Sequence, residues 1–495
     1  MSESDRIADA RRALGRRLAA HRQAAGYNQV QFAPLTGYGR STVANVETGR
    51  QKVARDFWLR CDRALGTGGD FVAGFDEIEA MVRRERQAAE QQAQARREAR
   101  IRNWQAAGRA AAVYADDPAP ELPAPVWADA LVTVRLDAIA LWGHDLRPRG
   151  DDQASAPGTA ALRWLVAADD EPFVREDGWR RIGERDVRRL HLVRAQLKTI
   201  DNAHGGGAAF PMAVAYLRRE VAPLFDGRYS DATGRALLEA TAEINLDVGW
   251  MAYDAGDHRL ARRYLIQALR MAHAGGNRLV GGRVLAALSH QALHLRQVRL
   301  AVDLARAARA GTEHVATPKA AAMIAAMEAC AHAAHHDERL CTAALIAAED
   351  ALSRARSADP EPAWLDFDEG GLWGHAARAH ADLHHGEEAR RYAQQSVILC
   401  RSDHSRTRAQ RNAILARTHV ALGEIDQAAA IGVRIVDDAW NLHSSHVHAE
   451  VAALARTIKT ARPREADEFV SSADDLLTAR PVQTATPAEL QARPS

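Results

Sequence analysis

The sequence predicts an all-α chain, with a compact N-terminal bundle of short helices ahead of an α-solenoid of stacked helix pairs. Three observations predict it. Alanine, arginine and leucine dominate the 495 residues while aromatics make up only 5%, a mixture that favours helix over sheet. From about Asp186 the chain reads as one amphipathic helix after another, parted by short turns that carry Gly or Asp. Five small residues, Ala261, Ala301, Cys341, Ala389 and Ala428, recur at spacings of about 40, 40, 48 and 39, the range of helical repeats.

A chain this long exceeds one ordinary core, so two or more domains are expected. The formal net charge is +1, from 65 Lys and Arg against 64 Asp and Glu, which excludes a chain that binds polyanions through bulk charge. The charge is unevenly spread. Residues 1–63 hold twelve Arg or Lys against six Asp or Glu, the local footprint of a nucleic-acid-binding domain. The four cysteines, Cys61, Cys330, Cys341 and Cys400, lack CxxC spacing and read as free thiols of a reducing compartment. The polar, charged N-terminus does not read as a signal peptide, and no apolar run approaches the roughly 20 residues that span a bilayer. A cytoplasmic chain without membrane contact is the expectation.

The first domain is expected over residues 5–70. Its first helix places Leu14 and Leu18 inward, with Arg22 one turn on, and ends at Gly26. Asn28 is a good N-cap for a second helix from Gln29, with Phe32 and Leu35 as its core side. Gly37-Tyr38-Gly39 makes the turn, and a third helix runs from about Arg40 to Thr48 with Val43 and Val46 inward. A last helix from Arg55 to Leu65 closes the core with Phe57 or Trp58, Cys61 and Leu65, and Gly66 stops it.

At these residues the segment resembles the phage-repressor (Xre, Cro/CI-type) family of helix-turn-helix domains. The resemblance rests on Ala25-Gly26, Gln29, Ala33, Gly37, Ser41-Thr42-Val43 and the run Glu47-Thr48-Gly49-Arg50. There are departures. Pro34 lies inside helix two, where the missing N–H and ring clash cost up to ~3 kcal/mol unless the helix distorts. Gly39 stands where a Ser cap is usual, and Val53-Ala54 where a proline is usual. The resemblance implies that helix three enters the major groove of double-stranded DNA. Arg40, Ser41, Thr42 and Asn45 are then the base-edge candidates, since Arg matches guanine and Asn matches adenine with paired hydrogen bonds. Gln29, at a helix N-terminus, suits a phosphate, and Tyr38, Arg50 and Lys52 complete the expected DNA-binding set.

Residues 76–115 read as a connecting helix, too sparse in apolar positions for a full heptad seam, with a share in dimer contact as the sharper reading. Residues 116–158 read as linker and short helix, with a proline-rich stretch (DDPAPELPAP) and a polar break from Arg147 to Gly158. Residues 159–480 hold the repeats, and residues 481–495 a flexible tail.

The best repeat copy is LDVGWMAYDAGDHRLARRYLIQALRMA at 246–272, where Gly249 allows close approach and Gly256-Asp257 turns the chain. Residues 415–435 repeat the theme with Gly423 as the turn, and residues 379–393 carry it with the turn shortened. This resembles the tetratricopeptide repeat, at a longer period and with most aromatic positions missing. Such pairs bury their apolar faces by stacking, which leaves a concave groove. Lys198–Gly207, AFPMAVAYLRREVAPLF at 209–225 and the copy from Gly249 together resemble a family of actinobacterial regulators that join an Xre-type domain to a tetratricopeptide-like region and are linked to development and secondary metabolism. The layout is also similar to that of the peptide-sensing quorum regulators of Firmicutes, an analogy that assigns no ligand.

Catalytic chemistry is not legible. Asp201–Gly207 is glycine-rich, yet it lacks P-loop spacing; it reads as a tight inter-helix turn, with ligand contact as the alternative. His332, His335, His336 and His443, His446, His448 have no HExxH and read as solvated helix faces rather than metal ligands. No cofactor, metal or enzymatic activity is expected. With Gly249 setting the register, the inward positions are Trp250 and Tyr253, His290 and His294, Arg378 and Asp382, and Arg417. Aromatic anchors mixed with charges suit a peptide, small-molecule or protein effector; the alternative packs the aromatics between helices. The expected protein is a homodimeric, sequence-specific DNA-binding transcriptional regulator. The alternative is an interaction scaffold whose helix-turn-helix no longer binds DNA.

Overall fold

The computed structural model describes residues 3–84, 157–167, 173–356, 364–461 and 466–479, with isolated positions between these stretches. The rest of the expected 76–115 helix, the proline-rich linker and the 481–495 tail lie outside the described residues. Two compact units result, Met1–Gln105 and Ala106–Ser495. The described residues contain no strand, only two isolated bridges, Arg175 with Tyr229 and Arg181 with Arg228.

In the first unit α1 spans Glu3–Ala24, α2 Gln29–Thr36, α3 Arg40–Glu47 and α4 Arg55–Leu65, and α5 covers 70–84. Local chemistry places each end. Gly26, in the left-handed region, closes α1 by donating to Gln23 O while Tyr27 donates to Arg22 O. Asn28 and Gln31 form a reciprocal capping box at the start of α2. Asp62 accepts from Thr67 Oγ1 and from the backbone N–H groups of Phe71 and Val72, which fixes the start of α5. The core gathers Leu14, Leu18, Phe32, Val43, Val46, Cys61 and both Phe57 and Trp58. Leu35, expected inside, is 44% exposed. Thr36 takes the buried place instead and bonds Ala33 O, because the 3.6-residue period carries the inner face from Phe32 and Ala33 to Thr36. Helix α2 runs through Pro34 unbroken. The carbonyl of Val30 loses its helical donor there, on a residue that is itself exposed.

The second unit opens with α6 (Pro157–Val166), α7 (Glu184–His204) and α8 (Gly206–Tyr216). The polar break expected up to Gly158 therefore ends earlier, at a proline in the first helical position, where its missing N–H costs nothing. Five helix pairs follow: α9 (Asp231–Asp254) with α10 (His258–Ala274), α11 (Arg278–His294) with α12 (Val298–Thr312), α13 (Pro318–Ala334) with α14 (Glu338–Arg354), α15 (Glu369–Asp382) with α16 (Gly386–Ile398), and α17 (Ser405–Ala421) with α18 (Ile425–Ala439). A last pair, α19 (Ser445–Ala461) and α20 (Asp467–Ala479), ends the array. The five small anchors each occupy the fourth position of the second helix of a pair and are buried. Trp164 of α6 is fully buried against Gly281 and Gly311, where a Cβ would collide with the indole.

The turn inside each of the five pairs is the same. Its middle residue is left-handed: Gly256, Arg296, His336, His384 and Gly423. In every copy that residue donates to the carbonyl three back, and the next residue donates to the carbonyl five back, as Gly256 to Tyr253 and Asp257 to Ala252. The fourth turn, Leu383-His384-His385, has the same three residues as the others, so it is not shortened. Gly386, which suggested a shift, is the first residue of α16. The longer spacing before Ala389 arises instead between α14 and α15, where an inserted segment buries Trp364 and Phe367 in the core.

Where stacking alone predicts an open groove, the array closes on itself. Arg406 of α17 reaches back to Asp201 of α7 at 2.9 Å. His443 N donates to His204 O and His443 O accepts from Gly207 N. Ser444 Oγ donates to Asp254 and Ser445 Oγ to Ala255 O. The glycines of Asp201–Gly207 serve this junction. A Cβ on Gly206 would strike the Met251 carbonyl, and one on Gly207 the His443 carbonyl.

Candidate nucleic-acid interface and interior cavity

Helix α3 is a short rod whose buried side is Val43, Val46 and Glu47 and whose other side is polar. Arg40, Ser41 and Asn45 are exposed, and Thr42 is half-buried. Arg50 and Lys52, just beyond, are exposed too. Arg40, Arg50 and Lys52 make no ion pair among the described residues, whereas Arg12, Arg17, Arg55 and Arg60 are held by Asp9, Asp70, Asp76 and Asp56. The cations around α3 are thus open to an external anion. Asn45 Nδ2 donates a long hydrogen bond to Gln51 Oε1, at 3.4 Å. Tyr38 packs its ring edge-on against Phe57 at 5.2 Å, which anchors the α2–α3 turn.

Gln29 serves the fold as well as facing outward. Its amide donates to Glu47 Oε2 at 2.8 Å, which leaves one amide hydrogen for any other partner. Glu47 is also gripped by Arg22, through Nε at 2.5 Å and Nη2 at 3.0 Å, and Arg22 Nη1 holds Tyr27 O. This buried cluster ties α1, the start of α2 and the end of α3 together, so α3 cannot rotate without breaking it.

The array holds two adjoining chambers, each partly open to solvent, of about 500 and 250 Å³. Trp250, Tyr253, His290 and Arg378 line the smaller one. His294 meets the same group through its ring contacts with Tyr253 and His446. Arg417 is bound to Glu450 at 2.5 Å, and Asp382 feels the charges of Arg378 and Arg417 from beside the cavity; neither is among the lining residues. The repeat explains why residues from different pairs share one face, whether on the chamber wall or beside it. Trp250, His290, Cys330, Arg378 and Arg417 each precede the left-handed turn residue by six positions. Thirteen positions before it stand Arg283, Met323 and Gln410, and nine before it Met327 and His375, all on the chamber wall. These offsets are helical neighbours of one face. Arg283, Met323, Met327, His375 and Gln410 were legible once the copies were aligned on the turn. Phe367, from the insertion, left no periodic signal.

Several histidines expected in solvent are inside. His332 is buried beside Glu328, His448 is buried, and His446 faces the chamber; only His335 and His336 of the first group are exposed. Helix stacking buries faces that a single helix would leave wet. Burial, reinforced by Arg378, holds His290 and His375 neutral, the latter down to about 3. Burial and the neighbouring His258 bring His294 to about 4. Burial outweighs the attraction of Glu450 and takes His446 to about 3. Among the described residues no group of His, Cys, Asp or Glu has the geometry to hold a metal ion, and no helix is long and apolar enough to cross a membrane.

Residues 13–73 match the family described as helix-turn-helix domain. The match covers α2 to α4 whole and most of α1. A domain of this kind indicates a DNA-binding regulator. No curated protein matches the chain.

Proposed function

We propose that the chain is a sequence-specific, cytoplasmic transcriptional regulator of the Xre type, and that its tetratricopeptide-like array takes an effector and contributes to homodimer formation. The observation that carries the DNA reading is the outer row of α3, where Arg40, Ser41 and Asn45 stand exposed beside Arg50 and Lys52, which make no ion pair among the described residues. A rigid helix with this row suits the major groove, and the flanking cations suit phosphates. One such domain covers little DNA, and two half-sites a helical turn apart are the usual solution, hence the dimer. In this reading residues 5–70 carry DNA contact, 76–115 and the linker to 158 connect, and 159–480 sense. The cavity, with Trp250, Tyr253, His290, His294 and Arg378 in or beside it, is the effector site. Its size favours a small molecule over an extended peptide or a protein. Genome-wide binding of the tagged chain tests the proposal. A shared sequence motif that disappears in Arg40→Ala/Asn45→Ala supports it. Occupancy unchanged by that double substitution would sink it and favour the scaffold alternative.

A further inference from the structure

Two guanidinium groups of the array make no ion pair among the described residues, unlike their neighbours. Arg194, Lys198 and Arg406 are held by Asp247 and Asp201. Arg283 is not. Its guanidinium lies 4.9 Å from the centroid of Trp364, its Nη1 reaches only Met323 Sδ at 3.7 Å, and its Nε is buried without a hydrogen-bond partner. Burial draws it down to about 10. Arg378 Nη1 lies 3.4 Å from His290 Nδ1, and Arg378 makes no ion pair among the described residues. Both line the smaller chamber, and Arg283 also lines the larger.

Carboxylates nearby attract these charges, Asp247, Glu243 and Asp366 acting on Arg283 and Asp382 and Glu450 on Arg378. Among the described residues none forms an ion pair with either, and Asp247 and Glu450 are paired with Arg194 and Arg417. Asp254 accepts from Gly206 N and Ser444 Oγ. Asp366, which is exposed, attracts Arg283 without pairing with it. A guanidinium taken out of water without a counter-ion is costly. Its planar fork is also the best protein match for a carboxylate or phosphate. Trp250, Phe367, Met323 and Met327 give the smaller chamber an apolar and aromatic stretch of wall, beside a polar one that includes Lys198, Arg406 and Gln410, and the two chambers together match the size of ordinary small-molecule sites.

We infer that the interior binds a small organic anion, with a carboxylate or phosphate head met by Arg283 and Arg378 and an aromatic or aliphatic body against Trp250, Phe367 and the two methionines. This rests on the reading of the interior as the effector site and names the class of effector. Calorimetric titration of the full chain with 4-phenylbutyrate, 4-phenylbutyl phosphate and the neutral 4-phenylbutan-1-ol tests it. At least one anion should bind at least tenfold more tightly than the alcohol, and the ranking of the two anions identifies the head group. Arg283→Met and Arg378→Gln should each weaken that anion tenfold or more while circular dichroism and melting stay as in the wild type. Equal binding of alcohol and anions, no binding of any probe, or wild-type affinity in both variants would overturn the inference. If a variant fails to fold, the comparison of the three probes on the wild type decides alone. Gel retardation on the same preparations separates the two readings. DNA binding without anion binding rejects this inference and leaves the regulator intact, and anion binding without DNA binding does the reverse.

Discussion

Arg22, in the last turn of α1, and Glu47, the final residue of α3, form a buried ion pair with an N–O distance of 2.5 Å and less than a tenth of either side chain exposed. The pair is also bonded to Gln29 and to the Tyr27 carbonyl, so it sets how the candidate reading helix sits on the rest of its unit. Removing one partner strands the other in a dry site, at about 3–5 kcal/mol. Glu47→Leu should therefore lower the melting temperature of the N-terminal unit. Arg22→Met/Glu47→Leu, which removes both charges, should recover much of the loss. A double variant no more stable than Glu47→Leu alone would show that the pair is not what fixes α3.

Substitutions on α3 should separate base reading from phosphate binding. Arg40→Ala and Asn45→Ala should each cost about 1–3 kcal/mol on the specific site and little on random DNA. Arg50→Ala and Lys52→Ala should weaken both kinds of DNA and flatten the salt dependence by about one charge each. Binding measured at several salt concentrations checks this, and a uniform loss across all four variants removes α3 as the reader.

The repeated turn predicts opposite signs at equivalent positions. Gly423 is left-handed with open space around its Cβ position, so Gly423→Ala tests backbone strain alone and should destabilise by about 1 kcal/mol. His384 adopts the same conformation with a side chain, and His384→Gly should be neutral or slightly stabilising. Denaturant unfolding of the two variants gives both signs. Equal losses at the two positions would contradict a common turn.

Acid should loosen the array before it affects the core elsewhere. His294 titrates near 4 and His446 near 3 in the folded chain, against about 6.5 when unfolded. Between those values the unfolded state binds more protons, so stability is full above about pH 6.5 and falls as the pH drops toward the folded values. Melting temperature should decline between pH 7 and 4, and His294→Gln/His446→Gln should flatten the decline. An unchanged slope in that variant would place the acid sensitivity elsewhere.

Dimerisation is open to one direct measurement. Light scattering at micromolar concentration should give twice the chain mass in the presence of a specific site. A monomer with and without DNA would remove the two-half-site arrangement.

The sequence by itself determined what is periodic or local. Asn28 and Gly26 mark helix ends through caps, and five small anchors mark the pairs because the fourth position of each second helix leaves no room for more. The row Arg40, Ser41 and Asn45 was legible for the same reason, since one turn of helix repeats within the motif. Tertiary structure decided what depends on residues far apart in the chain. Arg22 meets Glu47 across 25 residues, and Arg406 meets Asp201 across 205. Such partners leave no spacing signal, because loop geometry and the accumulated twist of stacked pairs bring them together. The junction of Arg406 with Asp201, the inward place of His446, and the lack of an ion pair at Arg283 among the described residues all follow from that long-range geometry. An arginine reads the same in sequence whether water, a carboxylate or the wall of a cavity lies in front of it.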